Sequence, residues 1–210
     1  PNIYSGNITV RTALTYSKNT TAWKLFDMMG CYTCINYLKN MQFSHISRDD
    51  YVPAMSIGGM TYGVSALEMA SAFCTLENNG AYRSPTCVIK ITDSFGNVIL
   101  DNGMDRQDGK LIYEKNAVLM TTDILKDVLN WGTGKGYQIE NAICAGKTGT
   151  TNDNKDCWFA GYSKYYTTAV WCGYDMPKTL EGNIIKSAGS IWQSYMEKIH
   201  EGTMKTDFES

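Results

Sequence analysis

No apolar run in this chain approaches the ~20 residues needed to cross a bilayer as a helix. Charge of one sign is also missing. Nineteen Lys and Arg stand against 21 Asp and Glu, a formal net charge of −2, so nothing points to nucleic acid or to an anionic membrane surface. Histidine occurs only at His45 and His200, and no second Cys pair or His cluster completes a zinc site around Cys31-Tyr-Thr-Cys34. No metal or cofactor is expected. The first residue is Pro1, without an initiator methionine or the n- and h-regions of a secretory signal. The opening PNIYSGNITVRTAL reads as mid-domain sequence, so the chain is expected to be part of a longer one. Any targeting or anchoring segment would then lie upstream.

What is present suits one sizeable core: 210 residues, 43% of them hydrophobic. Seven cysteines is a high and odd count. Cys74, Cys144, Cys157 and Cys172 sit in apolar runs, where a thiol acts as a small hydrophobe. A domain of this size holds together by burial, so a disulfide framework is not expected.

Apolar spacing predicts a short helix through Val10, Ala13 and Leu14. A second runs through Ala22, Leu25, Phe26 and Met29, and Gly30 stops it. Residues 42–59 read as irregular. Ser65 with Glu68 three residues on forms a capping box, with Val64 and Met69 as a staple, and Asn79-Gly80 ends that helix. Two short strands are predicted over 86–92 and 98–100, joined by Asp93-Ser-Phe-Gly-Asn97. Ala117, Met120, Ile124, Leu125 and Val128 mark another helix, ending at Trp131-Gly132. Strand candidates at 142–150, 158–163 and 166–173 suit an antiparallel meander, and a last helix covers about 190–200. Helices first, then a sheet, then a closing helix make the class α+β. Residues 1–200 are read as one domain and 201–210 as a tail.

The stretch AGKTGTTND, residues 145–153, invites a phosphate-binding reading. A P-loop requires G-x-x-x-x-G-K-[ST] between a strand and a helix. Counting back from Gly146-Lys147-Thr148, the first glycine position holds Asn141, and the stretch runs on toward another strand. Gly132-Thr-Gly-Lys-Gly136 fails too, because Gly136 stands where Ser or Thr is needed; it reads as a mobile or turn-forming loop. A carboxylate reading fits better. On a strand, Lys147 and Gly149 share one face, Thr148 and Thr150 the other. Hydroxyls beside an ammonium suit a carboxylate. Gly149 leaves room for a substrate backbone, and a strand edge can take up an extended peptide.

Two short elements then carry a family resemblance. Ser17-Lys18-Asn19 resembles the S-x-N element, and Lys147-Thr148-Gly149 the K-T-G element, of penicillin-binding proteins and serine β-lactamases. The helix Val10-Arg-Thr-Ala-Leu before Ser17 agrees with it, as do Tyr62 to Phe73, Glu77 to Tyr82, and Gly132-Thr-Gly ahead of Ala145 to Thr151. The runs Asp156 to Tyr162 and Ala169 to Asp175 are similar to the bifunctional, class A members. The resemblance spans nearly all of residues 1–200. It implies a penicillin-binding-protein transpeptidase fold, an antiparallel sheet with helices packed on it. It further implies a D,D-transpeptidase that cross-links peptidoglycan stem peptides ending in D-Ala-D-Ala and is acylated by β-lactams. In such a site Ser17 would bond the catalytic lysine and relay a proton, and Asn19 would bind the substrate amide. Lys147 would hold Ser17 and add positive potential. Thr148 and Thr150 would bind the terminal carboxylate, with the Thr150 N–H as half of an oxyanion hole. The plainer alternative for Ser17 and Asn19 is helix capping.

One element of the family is missing. Its nucleophile is the serine of S-x-x-K, and no serine of the 210 residues has lysine three positions on. The resemblance places that element before Pro1, so the fold is expected to be incomplete at its N-terminus and this chain alone inactive. A glycosyltransferase domain and a membrane anchor would lie further upstream, at the extracytoplasmic face of a bacterial membrane. The thiol content there suits an organism living without oxygen. Rival readings are a β-lactamase or D,D-carboxypeptidase, in which water resolves the acyl-enzyme, and a non-catalytic module that binds β-lactam or wall peptide.

Overall fold

The computed structural model describes residues 5–103 and 109–208. Among these residues, two of the six α-helices begin where a side chain satisfies the first free amides. The Thr9 hydroxyl accepts from Thr12 N at 3.1 Å and starts α1 (Val10–Thr15). The capping box of α4 (Ala66–Glu77) is formed as expected, and the Glu68 carboxylate also accepts from Ser44 N and Oγ at 2.7 and 2.8 Å. That helix is followed by Asn79 and Gly80, both at positive φ.

Helix α2 (Asn19–Met29) ends at Gly30 (φ 82°), but the chain turns there and starts again as α3 (Cys31–Asn40), a helix the sequence spacing did not predict. Gly30 ends one helix and begins the next. Cys31 and Cys34 therefore lie on the first turn of α3, packed against Phe26, Ile35 and Met55. All seven cysteines are free. Residues 42–59 hold only two 3-10 turns, Arg48–Asp50 and Pro53–Ile57.

Two small hairpin-like pairings follow α4. Strand β1 (Ala81–Tyr82) pairs with β4 (Lys110–Leu111), each too short to show a period. Strands β2 (Lys90–Thr92) and β3 (Val98–Asp101) pair antiparallel across a turn in which the Asp93 carboxylate accepts from Phe95 N and Asn97 N. The strand predicted from residue 86 starts late because Val88 N donates to the Thr86 hydroxyl, a local bond that competes with the ladder.

The meander is present: β5 (Ala145–Thr150), β6 (Asp156–Tyr162) and β7 (Thr167–Gly173), in that order and fully antiparallel. Alternation gives the sheet two apolar faces. Cys157 and Phe159 pack with Trp192 and Met196 of α6 (Ser187–Ile199). Ala145 and Tyr162 face Leu125 and Val128 of α5 (Lys115–Asn130) and Phe73 of α4. The molecule is thus a helix, a sheet and a helical layer stacked in turn. The segment after α6 also packs: Phe208 lies against Tyr162 at 5.4 Å between ring centres, and Lys126 bonds Asp207 at 2.9 Å.

Candidate active site

The turn between α1 and α2 holds Ser17 at φ 53°, in the left-handed region that a serine adopts only when its surroundings hold it there. Its amide bonds Leu14 O at 3.2 Å and the next amide bonds Ala13 O at 2.8 Å, which folds the chain back and presents the exposed hydroxyl outward. The capping alternative does not describe this corner. The N-cap of α2 is Lys18, without a side-chain cap bond, and Asn19 is the first helical residue, exposed two positions from Ser17.

Across 130 positions of sequence, the Lys147 ammonium donates to Ser17 Oγ at 2.7 Å and to Thr148 O at 2.8 Å. Burial pushes the Lys147 ammonium down from 10.5 to about 8. Lys147 sits on the sheet face turned to the helical layer, in register with Ala160. Gly149 follows on that face opposite Trp158. A Cβ there would stand 3.2 Å from Trp158 Cβ, so the space expected for a substrate backbone is bounded by the neighbouring strand's indole.

The ladder fixes which amides of β5 face outward. Thr151 N donates to Asp156 O at 3.2 Å. In an antiparallel pair bonded and non-bonded positions alternate, so Lys147 and Gly149 bond to β6, while the N–H groups of Thr148 and Thr150 point to the other edge. The Thr148 carbonyl taken by Lys147 lies on that edge as well. Among the described residues no strand pairs there. Thr150 is exposed. The candidate site is therefore the open edge of β5: two outward amides, the hydroxyl-bearing Thr148 and Thr150, and Lys147 holding Ser17.

The loop after α5, read from the sequence as a mobile or turn-forming segment, does form turns, with Lys135 N bonded to Gly132 O at 3.2 Å and Tyr137 N to Gly134 O at 3.1 Å, and it is pinned to its neighbours. Thr133 N donates to Thr15 O at 3.2 Å and Gly134 N to Val128 O at 3.0 Å. A Cβ on Gly132 would stand 2.4 Å from Thr15 O, so only glycine lets the loop approach α1 this closely. Thr133 Oγ1 lies 2.7 Å from Thr148 Oγ1. The sequence signal for this contact was two glycines bracketing a threonine just past a helix end. Elsewhere, Ser163 Oγ and His200 Nε2 lie 2.7 Å apart, like a nucleophile and its base. With exposures of 1% and 0% they cannot meet a substrate; His200 Nδ1 bonds Met196 O at 2.6 Å, which leaves Nε2 to accept from the serine.

Comparisons with known proteins bear on the family and the fold. The family model for the penicillin binding protein transpeptidase domain matches residues 2–199. Penicillin-binding protein 1A of Clostridium botulinum (strain Hall) is 34% identical over 202 residues, 95% of this chain and 24% of that protein. Penicillin-binding protein 4 of Bacillus subtilis is 31% identical over 91% of this chain and 30% of its own length. The chain thus spans about a quarter of the length of the curated relatives it matches. Among solved structures, penicillin-binding protein 1A from Haemophilus influenzae superposes with a TM-score of 0.82 at 22% identity, covering all of this chain and 37% of the other. The penicillin-binding protein PonA1 from Mycobacterium tuberculosis superposes equally well at 23% identity, covering 99% of this chain and 60% of the other. On the family match and these relatives, the α+β chain with Ser17 and Lys147 at one strand edge belongs to the penicillin-binding protein transpeptidase domain family.

Proposed function

We propose that this chain is part of a peptidoglycan D,D-transpeptidase and carries the half of the site that grips the stem peptide and moves a proton. The observation that supports this most is the 2.7 Å bond from Lys147 to Ser17 at the open edge of β5. An extended peptide ending in D-Ala-D-Ala adds to that edge. Its carboxylate accepts from the Thr148 and Thr150 hydroxyls, with the Lys147 charge close by. Asn19 bonds the peptide amide. The outward Thr150 N–H supports the oxyanion as a serine Oγ attacks the penultimate carbonyl; one such donor is typically worth ~3–4 kcal/mol. The carbon–nitrogen bond then breaks, and D-alanine leaves with a proton relayed through Ser17. The amine of a neighbouring stem attacks the acyl-enzyme, forms the cross-link and releases the serine.

The acylated serine and its lysine are provided by chain outside these 210 residues, because no S-x-x-K occurs within them. We place the glycosyltransferase domain and the membrane anchor outside them too, with the site on the extracytoplasmic face. No helix of the described residues is long and apolar enough to cross a membrane.

A fluorescent penicillin tests the reading. The full-length protein is expected to carry label that survives denaturation, and the 210-residue chain expressed alone is expected to carry none. An unlabelled full-length protein would overturn the assignment. Label on the short chain would overturn the placement of the nucleophile.

A further inference from the structure

The contact made by Thr133 is used by none of the roles above. Its side chain is exposed, so it adds little to the core, yet its backbone is held in place along with that of both neighbours. Thr133 N is bonded to Thr15 O, and on one side Gly132 lies against the same carbonyl. On the other side Gly134 N is bonded to Val128 O. What this frame holds in place is one hydroxyl, 2.7 Å from that of Thr148.

Each threonine hydroxyl has a single proton to give and lone pairs to receive one. A pair at this distance shares one bond, and its direction matters. If Thr148 donates to Thr133, its proton is spent within the protein. If Thr133 donates to Thr148, the Thr148 proton is free to point along the strand edge. An anion at that edge favours the second arrangement, and a chain of hydroxyls ending on a charge strengthens each bond in it.

Resting on the transpeptidase reading, we infer that Thr133 is a positioning residue for carboxylate recognition: it donates to Thr148 and so turns the Thr148 proton toward the terminal carboxylate of the peptide. The same residue ties the strand to Thr15, two positions before Ser17. The loop thereby links the carboxylate-gripping strand to the corner that carries the proton relay.

The test uses the full-length protein and two probes, a penicillin with its free carboxylate and the methyl ester of the same compound. Thr133→Val keeps the shape and removes the hydroxyl; Thr133→Ser keeps the hydroxyl. Loss of one hydrogen bond that feeds a charged group should slow acylation by the free acid about tenfold in Thr133→Val. Acylation by the ester should stay near the wild-type rate, and Thr133→Ser should restore most of the preference for the acid. A thermal melt of Thr133→Val should match wild type. The inference fails if Thr133→Val acylates with the free acid as fast as wild type, if acid and ester slow by the same factor, or if Thr133→Ser is as slow as Thr133→Val. A wild-type protein that takes up neither probe would sink the transpeptidase reading itself, a distinct outcome seen before any variant is compared.

Discussion

Lys147 shows how one residue can link recognition and stability with opposite signs. Its folded-state value is about 8, against roughly 10.4 for an unburied lysine. Below pH 8 the group is charged in both folded and unfolded chains, and the cost of burying that charge is fully present. Between about 8 and 10.4 the unfolded chain binds more protons, so stability rises with pH across that window. On the proposed function, carboxylate binding runs the other way, because the free site loses its positive charge as pH climbs through about 8. In the full-length protein, penicillin acylation should therefore decline above pH 8 while the urea midpoint rises. Lys147→Met should remove both trends, and a variant that kept the alkaline loss of acylation would assign it to another group. The cysteines make a second check at this scale. Cys87 is exposed, whereas burial raises the Cys144 thiol to about 12 and raises Cys157. Titration of the native protein with a thiol reagent should modify Cys87 first and Cys144 and Cys157 only on denaturation.

At the scale of elements, α4 is the best-determined piece, and one carboxylate explains why. Burial pushes Glu68 up, but the amides and hydroxyls of Ser65 and Ser44 outweigh it and hold the group down at about 2. The folded value is depressed, so its contribution is fully present above about pH 4.3, the ordinary glutamate range, and is lost as pH falls toward 2. Glu68→Ala should cost about 1–2 kcal/mol, the usual range for losing a cap, read as a lower urea midpoint at pH 7. The difference from wild type should shrink in acid; a constant difference from pH 7 to pH 3 would rule out the carboxylate as its source. This helix was legible in the sequence because a capping box is local: Ser65 and Glu68 are three residues apart. The meander was legible for a similar reason, through alternating runs joined by short connections. Helix α3 was not, since Gly30 is read equally well as an end or as a restart. The site was legible only as a pair of motifs. No local rule brings Ser17 to Lys147 across 130 positions, and the Thr133–Thr148 contact depends on how a loop packs on α1, which spacing does not encode.

At the scale of the whole molecule, the segment after α6 acts as a strap over the helical side of the sheet. Tyr162 is fully buried there, its hydroxyl 2.8 Å from Thr122 Oγ1 on α5, with Phe73 and Phe208 against its ring. Lys126 on the same helix holds Asp207 beside it. The strap therefore presses α5 onto β5 and β6, and α5 in turn supports the Gly132–Gly134 loop and carries Asp123 and Asp127, which bond Arg11 of α1. These contacts run without a break from the strap to α1, the helix that leads into Ser17. Phe208→Ala should remove about 1–3 kcal/mol of apolar packing, less than a fully buried phenylalanine because the ring is half-covered. In a domain of this size that corresponds to a fall of several degrees in melting temperature. If α5 conveys the strap to the site, the variant should also acylate more slowly at a temperature where it is still folded, with acid and ester penicillins affected alike. That pattern separates it from Thr133→Val, where only the acid suffers. An unchanged acylation rate beside a lowered melting temperature would confine Phe208 to stability and leave Ser17 positioned by α1 and its Arg11 contacts.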